Sequence, residues 1–436
     1  MRQAGSARNR RVLLPDPLYP GVSMKPGMHT RGPLIALLSS SGVSMAGNVI
    51  AGIAVPWFVL RTTGSATRAG FIAAMSFLPT VVASLFGGVL IDRLGFKRTS
   101  VLADVLSGVT VAAIPLLHAT VGIEFWQLAM LVFTGSLLDA PGVIAREALV
   151  PRLAEDAGMS IERGTASIQV VERSSRLAGA PLAGLIIAAA GAPAALWINA
   201  ASFLVSAVAV AVAVPGSSLR SDGRGRYWAE MREGLGFVWR DPVIRWIGIT
   251  VMVTNLLDAP LYAVVLPVLA ERIYDSPVVL GLMLGAAGGG AVVGALLFGW
   301  RGSTIPRRRV FVGGFATLAA FLWVLIAFPP VPVLVAVMAV KGVAAGPLNP
   351  VIMAIQFERV PERLRGRVFG ATLALSWASI PAGTITAGWL IERAGIRTVM
   401  IAIAVAYLLW TAGMAANPVF RRLDESRRIP ASEGSL

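Results

Sequence analysis

Three charged residues stand inside long apolar stretches of this chain: Asp139, Asp258 and Lys341. On insertion scales, a charge at the centre of a membrane-spanning helix costs about 2.5 to 3.5 kcal/mol, so each of these residues needs a reason to be there. Burial favours the neutral form of a carboxyl group, whereas a nearby cation favours the ionised form, so protonation of such a group responds to conformation. The chemistry that these residues predict is reversible proton binding at Asp258 or Asp139.

Polar side chains recur beside these charges at helical spacing. Asn255, Asp258 and Tyr262 follow an i, i+3, i+7 pattern, which puts them on one face of a helix. Ser44 and Asn48 form a similar stripe on an earlier apolar stretch. We predict that both stripes face a central cavity and line the pathway of a substrate or a proton.

Each of these interpretations has a structural alternative. Asp258 and Lys341 could form a fixed ion pair, and Asp139 could pack locally. Ser44 and Asn48 could bond to backbone carbonyl groups of their own helix.

Two more charged residues lie on the same kind of stretch, nearer the membrane surface. Arg146 follows Asp139 by seven residues, close to the same helix face. A helix rise of about 10 Å separates them, so a tight ion pair between them needs help from another helix. Asp104 lies roughly one turn inside its stretch, where we expect it to be solvated at the interface.

The elements that position these residues are transmembrane helices. Of the 436 residues, 56% are hydrophobic and only 14% are charged, and the mean hydropathy is +0.73. A helix of about 20 apolar residues spans a bilayer, whereas a barrel strand alternates over roughly 10. We predict an all-α integral membrane protein with twelve transmembrane helices, near residues 33–60, 68–91, 99–121, 125–149, 166–190, 194–214, 243–270, 277–300, 310–328, 331–356, 367–391 and 396–416.

The basic charge of the chain follows its predicted topology. If residues 1–32 are cytoplasmic, 32 of the 38 Lys and Arg residues fall in segments on the cytoplasmic side and five fall in outward loops. This asymmetry is the positive-inside rule, which accounts for the net charge of +15 without nucleic-acid binding. Both termini are therefore predicted to face the cytoplasm of a bacterial cell.

The two groups of six helices are repeats of each other. At a constant offset of 211 residues, the first half matches the second at Pro56 and Pro267, Arg61 and Arg272, Ser65 and Ser276, and Gly70 and Gly281. Two six-helix halves of like topology imply a pseudo-twofold axis along the membrane normal and a site between the halves, which is transporter architecture. The predicted domains are a basic tail (1–32), an N-terminal bundle (33–214), a connector with an amphipathic helix (215–242), a C-terminal bundle (243–416) and a cytoplasmic tail (417–436).

The loop after the second predicted helix carries a charged motif within GGVLIDRLGFKR, residues 87–98. Its residues are Gly88, Asp92, Arg93, Gly95, Lys97 and Arg98. The motif resembles the loop between the second and third helices of the major facilitator superfamily, although Phe96 stands where that family usually has a base. The resemblance implies that Asp92 latches the two halves on the cytoplasmic side, with Arg146 as its partner. Alternatively, Asp92 neutralises neighbouring bases on a solvated loop.

Further stretches resemble a narrower subgroup of that superfamily, the macrolide and enterobactin exporters. They include FLPTVVASLFGGVLIDR, REALVPRL, INAASFLVSA, REGLGFVWRDP and LRGRVFGA, and they cover nearly all twelve helices. Gly179, Pro181 and Gly184 in helix 5 resemble an element associated with antiporters, from which Ala180 departs. Small residues beside a proline also serve helix packing.

These observations predict a monomeric secondary transporter that exports hydrophobic or amphipathic small molecules in exchange for protons. The alternatives are an uptake carrier for a specific metabolite and a membrane sensor that does not transport. We expect neither an enzyme nor a cofactor, since the sequence shows no clustered catalytic chemistry and no nucleotide-binding loop. A metal site is not expected either, because the chain has no cysteine and only two histidines.

Overall fold

The computed structural model describes residues 31–216 and 227–424, apart from the side chains of residues 80–90, 92, 227–231 and 303. Ten helical segments in these ranges are long and apolar enough to cross a membrane. Helix α2 adds another segment, and a break at Gly191 divides the longest helix into two. The predicted all-α membrane fold of twelve spanning segments is thereby confirmed.

The first six segments come from five helices. Their bounds are α1 Gly32–Thr63, α2 Ala66–Leu94, α3 Phe96–Thr120, α4 Phe125–Asp156 and α5 Ile161–Ala213. Gly191 interrupts α5 with φ 80° and ψ 165°, a conformation that a glycine adopts without steric cost. The chain therefore turns back through the membrane at this residue, which lies between the fifth and sixth predicted helices.

The second six segments are more broken than the first. Their helices, preceded by the connector helix α6 Tyr227–Arg240, are α7 Pro242–Pro260, α8 Leu266–Arg272, α9 Pro277–Arg301, α10 Arg307–Ile326, α11 Val331–Ala345, α12 Leu348–Arg359, α13 Arg365–Ala378, α14 Ile380–Ala394 and α15 Ile396–Ala416. A π-helical turn at Leu261–Val265 joins α7 to α8 within one span. Helices α11 and α12 form a second interrupted span, and α13 and α14 form a third. Such irregular turns often occur at functional sites.

The connector helix α6 packs against the C-terminal half. Gly234 approaches the backbone of Arg367 in α13, and Val238 joins a buried cluster with Ile244 and Val368. The predicted amphipathic contacts of Trp228 and Met231 lie outside the described side chains. We call the side of the molecule that carries α6 the connector face.

The opposite side, which carries the turn between α1 and α2, is called the loop face. There the two halves make reciprocal contacts. Arg61 forms an ion pair with Asp275, and Arg272 donates a hydrogen bond to the carbonyl oxygen of Gly64 at 2.8 Å. Arg61 and Arg272, and likewise Gly64 and Asp275, are related by the repeat offset of 211 residues. Gly64 and Asp275 also share a left-handed backbone, with φ of 66° and 46°. The repeat seen in the sequence is thus expressed as a pseudo-symmetric closure of the loop face.

Close helix contacts extend this closure into the membrane. Helix α2 meets α14 where Gly70 faces Thr384, and α5 meets α9 where Gly184 faces Gly281. Glu392 of α14 accepts hydrogen bonds from Ser65 and Thr67 at the start of α2. Glycine at these points lets the backbones approach closely.

Replacement of Gly70 by valine is expected to separate the two halves at the loop face. The Cβ atom of any larger residue would lie 2.3 Å from the carbonyl oxygen of Thr384, which is backbone and cannot move aside. The change is measured as a longer distance between spin labels on a variant that carries both Val121→Cys and Val333→Cys. No other site takes a label, because the chain has no cysteine.

The matched control for this prediction is Gly52→Val, because a Cβ atom at Gly52 meets no other atom within 4 Å. An unchanged distance distribution in Gly70→Val would show that the α2–α14 contact does not hold the loop face closed.

Candidate functional site

Asp139 is the centre of a polar cluster in the N-terminal half. One carboxylate oxygen, Oδ2, accepts a hydrogen bond of 2.9 Å from the side-chain amide of Asn48 in α1. The other, Oδ1, lies 3.8 Å from Nη2 of Arg146. The Asp139 side chain is 18% exposed, although its Oδ1 atom is buried.

Arg146 is buried and its main partner is Asp104. The two side chains are 2% and 0% exposed, and Nη1 of Arg146 lies 2.5 Å from Oδ1 of Asp104. The second oxygen of Asp104 accepts a hydrogen bond of 2.7 Å from Ser206. The prediction that Asp104 is solvated at the interface was therefore wrong. Helices α4 and α5 cover this face of α3, and a buried carboxylate needs the cation and the donor that they supply.

Asp139 and Arg146 were not expected to form a tight ion pair without another helix, and α3 supplies the partner that Arg146 uses instead. Their separation of 3.8 Å is an ionic contact but too long for a hydrogen bond. Arg146 gives its hydrogen bond to Asp104 of α3 instead. The cluster thus holds two carboxyl groups and one guanidinium, an excess of one negative charge when both carboxyl groups are ionised.

A second cluster occupies the equivalent helices of the C-terminal half. Nζ of Lys341 in α11 lies 3.6 Å from Oδ1 of Asp258 in α7 and donates a hydrogen bond to the hydroxyl of Tyr262. Lys341 also lies over the rings of Tyr262 and Phe321, at 4.0 and 5.0 Å from their centroids. Such contacts stabilise a desolvated cation.

The two clusters differ in charge and exposure. Lys341 is 2% exposed, whereas Asp258 is 26% exposed. The buried hydroxyl of Tyr407 interacts with Asp258 from the last helix. Lys341 and Asp258 balance each other in charge, so this cluster has no excess charge of the kind found around Asp139.

Asn255 does not join Asp258, although the two were predicted on one polar stripe. Its side-chain amide donates to the carbonyl oxygen of Ser376, close to the end of α13, at 3.1 Å. The hydroxyl of Ser379 donates in turn to the carbonyl oxygen of Met252. Carbonyl groups at a broken helix must find partners inside a membrane, and Asn255 supplies one to the end of α13. Ser379 connects the break between α13 and α14 to α7.

The polar stripe on α1 is likewise divided. Asn48 contacts Asp139, whereas the Ser44 hydroxyl is buried and has no hydrogen-bond partner among the described residues. Sequence periodicity missed Ser206 and the partnership of Asp104, since both depend on how α3, α4 and α5 meet. The sequence feature that could have pointed to them is that Asp104 and Ser206 are polar residues within apolar stretches.

The predicted helix-5 motif lies at two helix interfaces. Gly179 packs against Val49 of α1, whereas Pro181 and Gly184 pack against α9 of the other half. These contacts are of the helix-packing kind. An antiporter role for the motif stays a prediction.

The predicted gate motif is only partly described. Gly88 and Asp92 belong to helix α2, but the side chain of Asp92 is not among those that the structure describes. Gly95 ends α2 and precedes α3 with φ 79°, a left-handed conformation that favours glycine. Arg93 and Arg98 are exposed, and Lys97 is half-buried. A pairing of Asp92 with Arg146 stays a prediction, because the described partners of Arg146 are Asp104 and Asp139.

Among the curated proteins similar to this chain are multidrug efflux pumps. It is 32% identical over 407 residues to the multidrug efflux pump Tap of Mycolicibacterium fortuitum, covering 90% of this chain and 98% of the relative. It is 31% identical over 406 residues to the multidrug efflux pump Tap of Mycobacterium tuberculosis strain H37Rv, covering 90% and 95%.

Solved structures with the same fold are membrane transporters of low sequence identity. The nucleoside transporter NupG superposes with a TM-score of 0.73 at 13% identity, over 88% of this chain and 98% of that one. A bacterial homologue of the iron transporter ferroportin, in an inward-facing state, gives a TM-score of 0.68 at 15% identity, over 90% and 98%.

The family model for the major facilitator superfamily matches twice, at residues 37–273 and 251–434, once for each half. Together with the efflux-pump relatives and the twelve-segment architecture, these matches confirm the resemblance seen in the sequence. The chain belongs to the major facilitator superfamily.

Proposed function

We propose that this protein exports drug-like small molecules from the bacterial cytoplasm in exchange for protons, with Asp139 as the proton carrier. The support for export is the identity of 31–32% to proteins named multidrug efflux pumps, over nearly their whole length. The observation that carries the proton coupling is the charge excess around Asp139.

Asp139 has the features of an exchanging carboxyl group. Its side chain is half-buried, whereas its Oδ1 atom is buried and accepts no hydrogen bond from a described residue. A proton on this oxygen would neutralise the excess charge of the cluster. Asp104, by contrast, is fully buried, and its two oxygens contact Arg146 and Ser206.

Asp258 is less suited to the carrier role. Its charge is balanced by Lys341, whose ammonium group is held by Tyr262 and two aromatic faces. This arrangement favours the fixed-pair interpretation, in which the C-terminal cluster shapes the binding site while the N-terminal cluster exchanges the proton.

Transport then proceeds by alternating access of a monomer in the cytoplasmic membrane. The excess of basic residues in the connector-side segments orients the connector face and both termini towards the cytoplasm. When the loop-face contacts of Arg61, Arg272 and Glu392 separate, Asp139 takes a proton from outside. When they re-form, the site opens inwards, the proton leaves and substrate binds. Protons move in and substrate moves out, one binding as the other dissociates.

The proposal is tested by the accumulation of ethidium and other fluorescent drugs in efflux-deficient bacteria that express the protein. We expect lower accumulation than in cells with an empty vector, and recovery of accumulation when a protonophore is added. Export that persists with the protonophore would contradict proton coupling. Increased accumulation would favour uptake, and unchanged accumulation of every compound would contradict drug export.

A further inference from the structure

We infer that Asp104 is a positioning residue for proton exchange: it holds Arg146 so that the guanidinium does not neutralise Asp139. This inference rests on the proposed function, in which Asp139 carries the proton. It assigns a role in coupling to a carboxyl group that is wholly buried.

The contacts of Asp104 fit a permanent counter-ion. Oδ1 lies 2.5 Å from Nη1 of Arg146, and Oδ2 accepts from the hydroxyl of Ser206 at 2.7 Å. These two contacts come from α4 and from the second part of α5. A charge-assisted hydrogen bond in a buried site is stronger than one between neutral groups, so Asp104 fixes where the guanidinium lies.

Arg146 is therefore only partly available to Asp139. Its Nη2 atom stays 3.8 Å from Oδ1 of Asp139, and neither atom has a hydrogen-bond partner among the described residues. If Asp104 lost its charge, Arg146 would be left with Asp139 as its acidic partner in this cluster. The whole positive charge of Arg146 would then stabilise the ionised form of Asp139.

Other groups around the cluster are neutral or more distant from Asp139. Helix α1 contributes the amide of Asn48, and α5 contributes the hydroxyl of Ser206. Glu147, the residue after Arg146, is exposed and interacts with Arg146 and with Glu172 of α5. Glu172 in turn pairs with Arg176 at 2.8 Å.

The remaining neighbours carry their charges near helix ends. Helix α2 has Arg68 at its start and Asp92 with Arg93 at its end, and α3 has Lys97 and Arg98 in its first turn. Asp104 and Arg146 are thus the charged groups that face Asp139 in the described part of the chain.

Charge balance predicts shifts in opposite directions for two variants. In Asp104→Asn the cluster loses its excess negative charge, so Asp139 should stay ionised to lower pH. In Arg146→Gln the excess rises to two, so Asp139 should hold its proton to higher pH. The double variant restores an excess of one and should lie close to the wild type. Each single shift is expected to be about 1 to 3 pH units, the range produced by one nearby charge.

The experiment is an infrared titration of the purified protein in liposomes, read at the C=O stretching band of the protonated carboxyl group. Each protein is compared with its own Asp139→Asn version, so the difference spectrum isolates Asp139 from the other acidic residues. Asp104→Glu, which keeps the charge, should keep the wild-type midpoint. Asp156→Asn is the control, because Asp156 ends the same helix in a half-buried pair with Arg152.

The outcomes separate this inference from the proposed function. Opposite shifts in the single variants and recovery in the double variant would support the role of Asp104. A midpoint that Asp104→Asn leaves unchanged would overturn it, as would a carboxyl band that disappears in Asp104→Asn while persisting in Asp139→Asn. The titration requires no substrate, so a protein that titrates as expected but exports no drug would contradict the proposed function alone.

Discussion

Replacement of Asp139 by asparagine is expected to abolish proton-driven export while leaving the protein folded in the membrane. Asparagine is close to aspartate in size and can still contact Asn48, so the packing of α1 against α4 is kept. It cannot release or bind a proton, and it removes the excess negative charge of the cluster. Removal of an essential proton-transfer group typically lowers a rate by about a hundredfold or more, which would leave export at the level of the empty vector.

The measurement is ethidium export from proteoliposomes under an imposed pH gradient. Asp139→Asn should fail to respond to the gradient, although movement of ethidium down its own gradient can persist. The matched control is again Asp156→Asn, the same chemical change in the last turn of the same helix, with a wild-type response expected. A gradient-driven rate in Asp139→Asn equal to the wild-type rate would move the carrier role away from this residue, with Asp258 as the next candidate.

Replacement of Lys341 by methionine is expected to destabilise the C-terminal cluster. Methionine fills a similar volume but leaves the carboxylate of Asp258 without its cation and the Tyr262 hydroxyl without its donor. Removing one partner of a buried ion pair costs about 3 to 5 kcal/mol, because the remaining charge is left uncompensated. Asp258→Asn should destabilise at least as much, since it leaves an ammonium group that is only 2% exposed without its acid.

The free energy of unfolding can be followed by tryptophan fluorescence during SDS-induced unfolding in micelles, since the chain has 11 tryptophans. The double variant with Lys341→Met and Asp258→Asn contains no unpaired charge and should recover most of the lost stability. Additive losses in the double variant would contradict a fixed pair, since independent residues have additive effects. Loss of proton coupling in an otherwise stable double variant would give Asp258 the transport role first predicted for it.

Much of the architecture could be predicted because the bilayer restricts what a chain can do. A hydrocarbon core of set thickness requires apolar helices of a minimum length, so composition and spacing are sufficient to locate twelve segments. The repeat was also readable, and Arg61 and Arg272 show why. They are related by the sequence offset and make reciprocal contacts across the loop face.

Helix interruptions were harder to anticipate than helix number. Two hydrogen bonds connect the break between α13 and α14 to α7. Asn255 of α7 donates to the end of α13, and Ser379 at the break donates to α7. In the sequence, Asn255 belongs to the same stripe as Asp258, and periodicity cannot distinguish a residue that supports a neighbouring backbone from one that lines a cavity.

The sequence by itself determined the fold class, the repeat and the ionisable residues inside the membrane, including Asp139, Asp258 and Lys341. These follow from local properties, since hydropathy and the cost of a buried charge act on each segment independently. Only the tertiary structure decided which charges are compensated. Asp104, Arg146 and Asp139 lie on two helices. The contact of α3, α4 and α5 buries the carboxyl group of Asp104 wholly against its counter-ion, while the side chain of Asp139 stays partly exposed. Desolvation and ion pairing depend on distances across helices, which the spacing of residues along one helix does not contain.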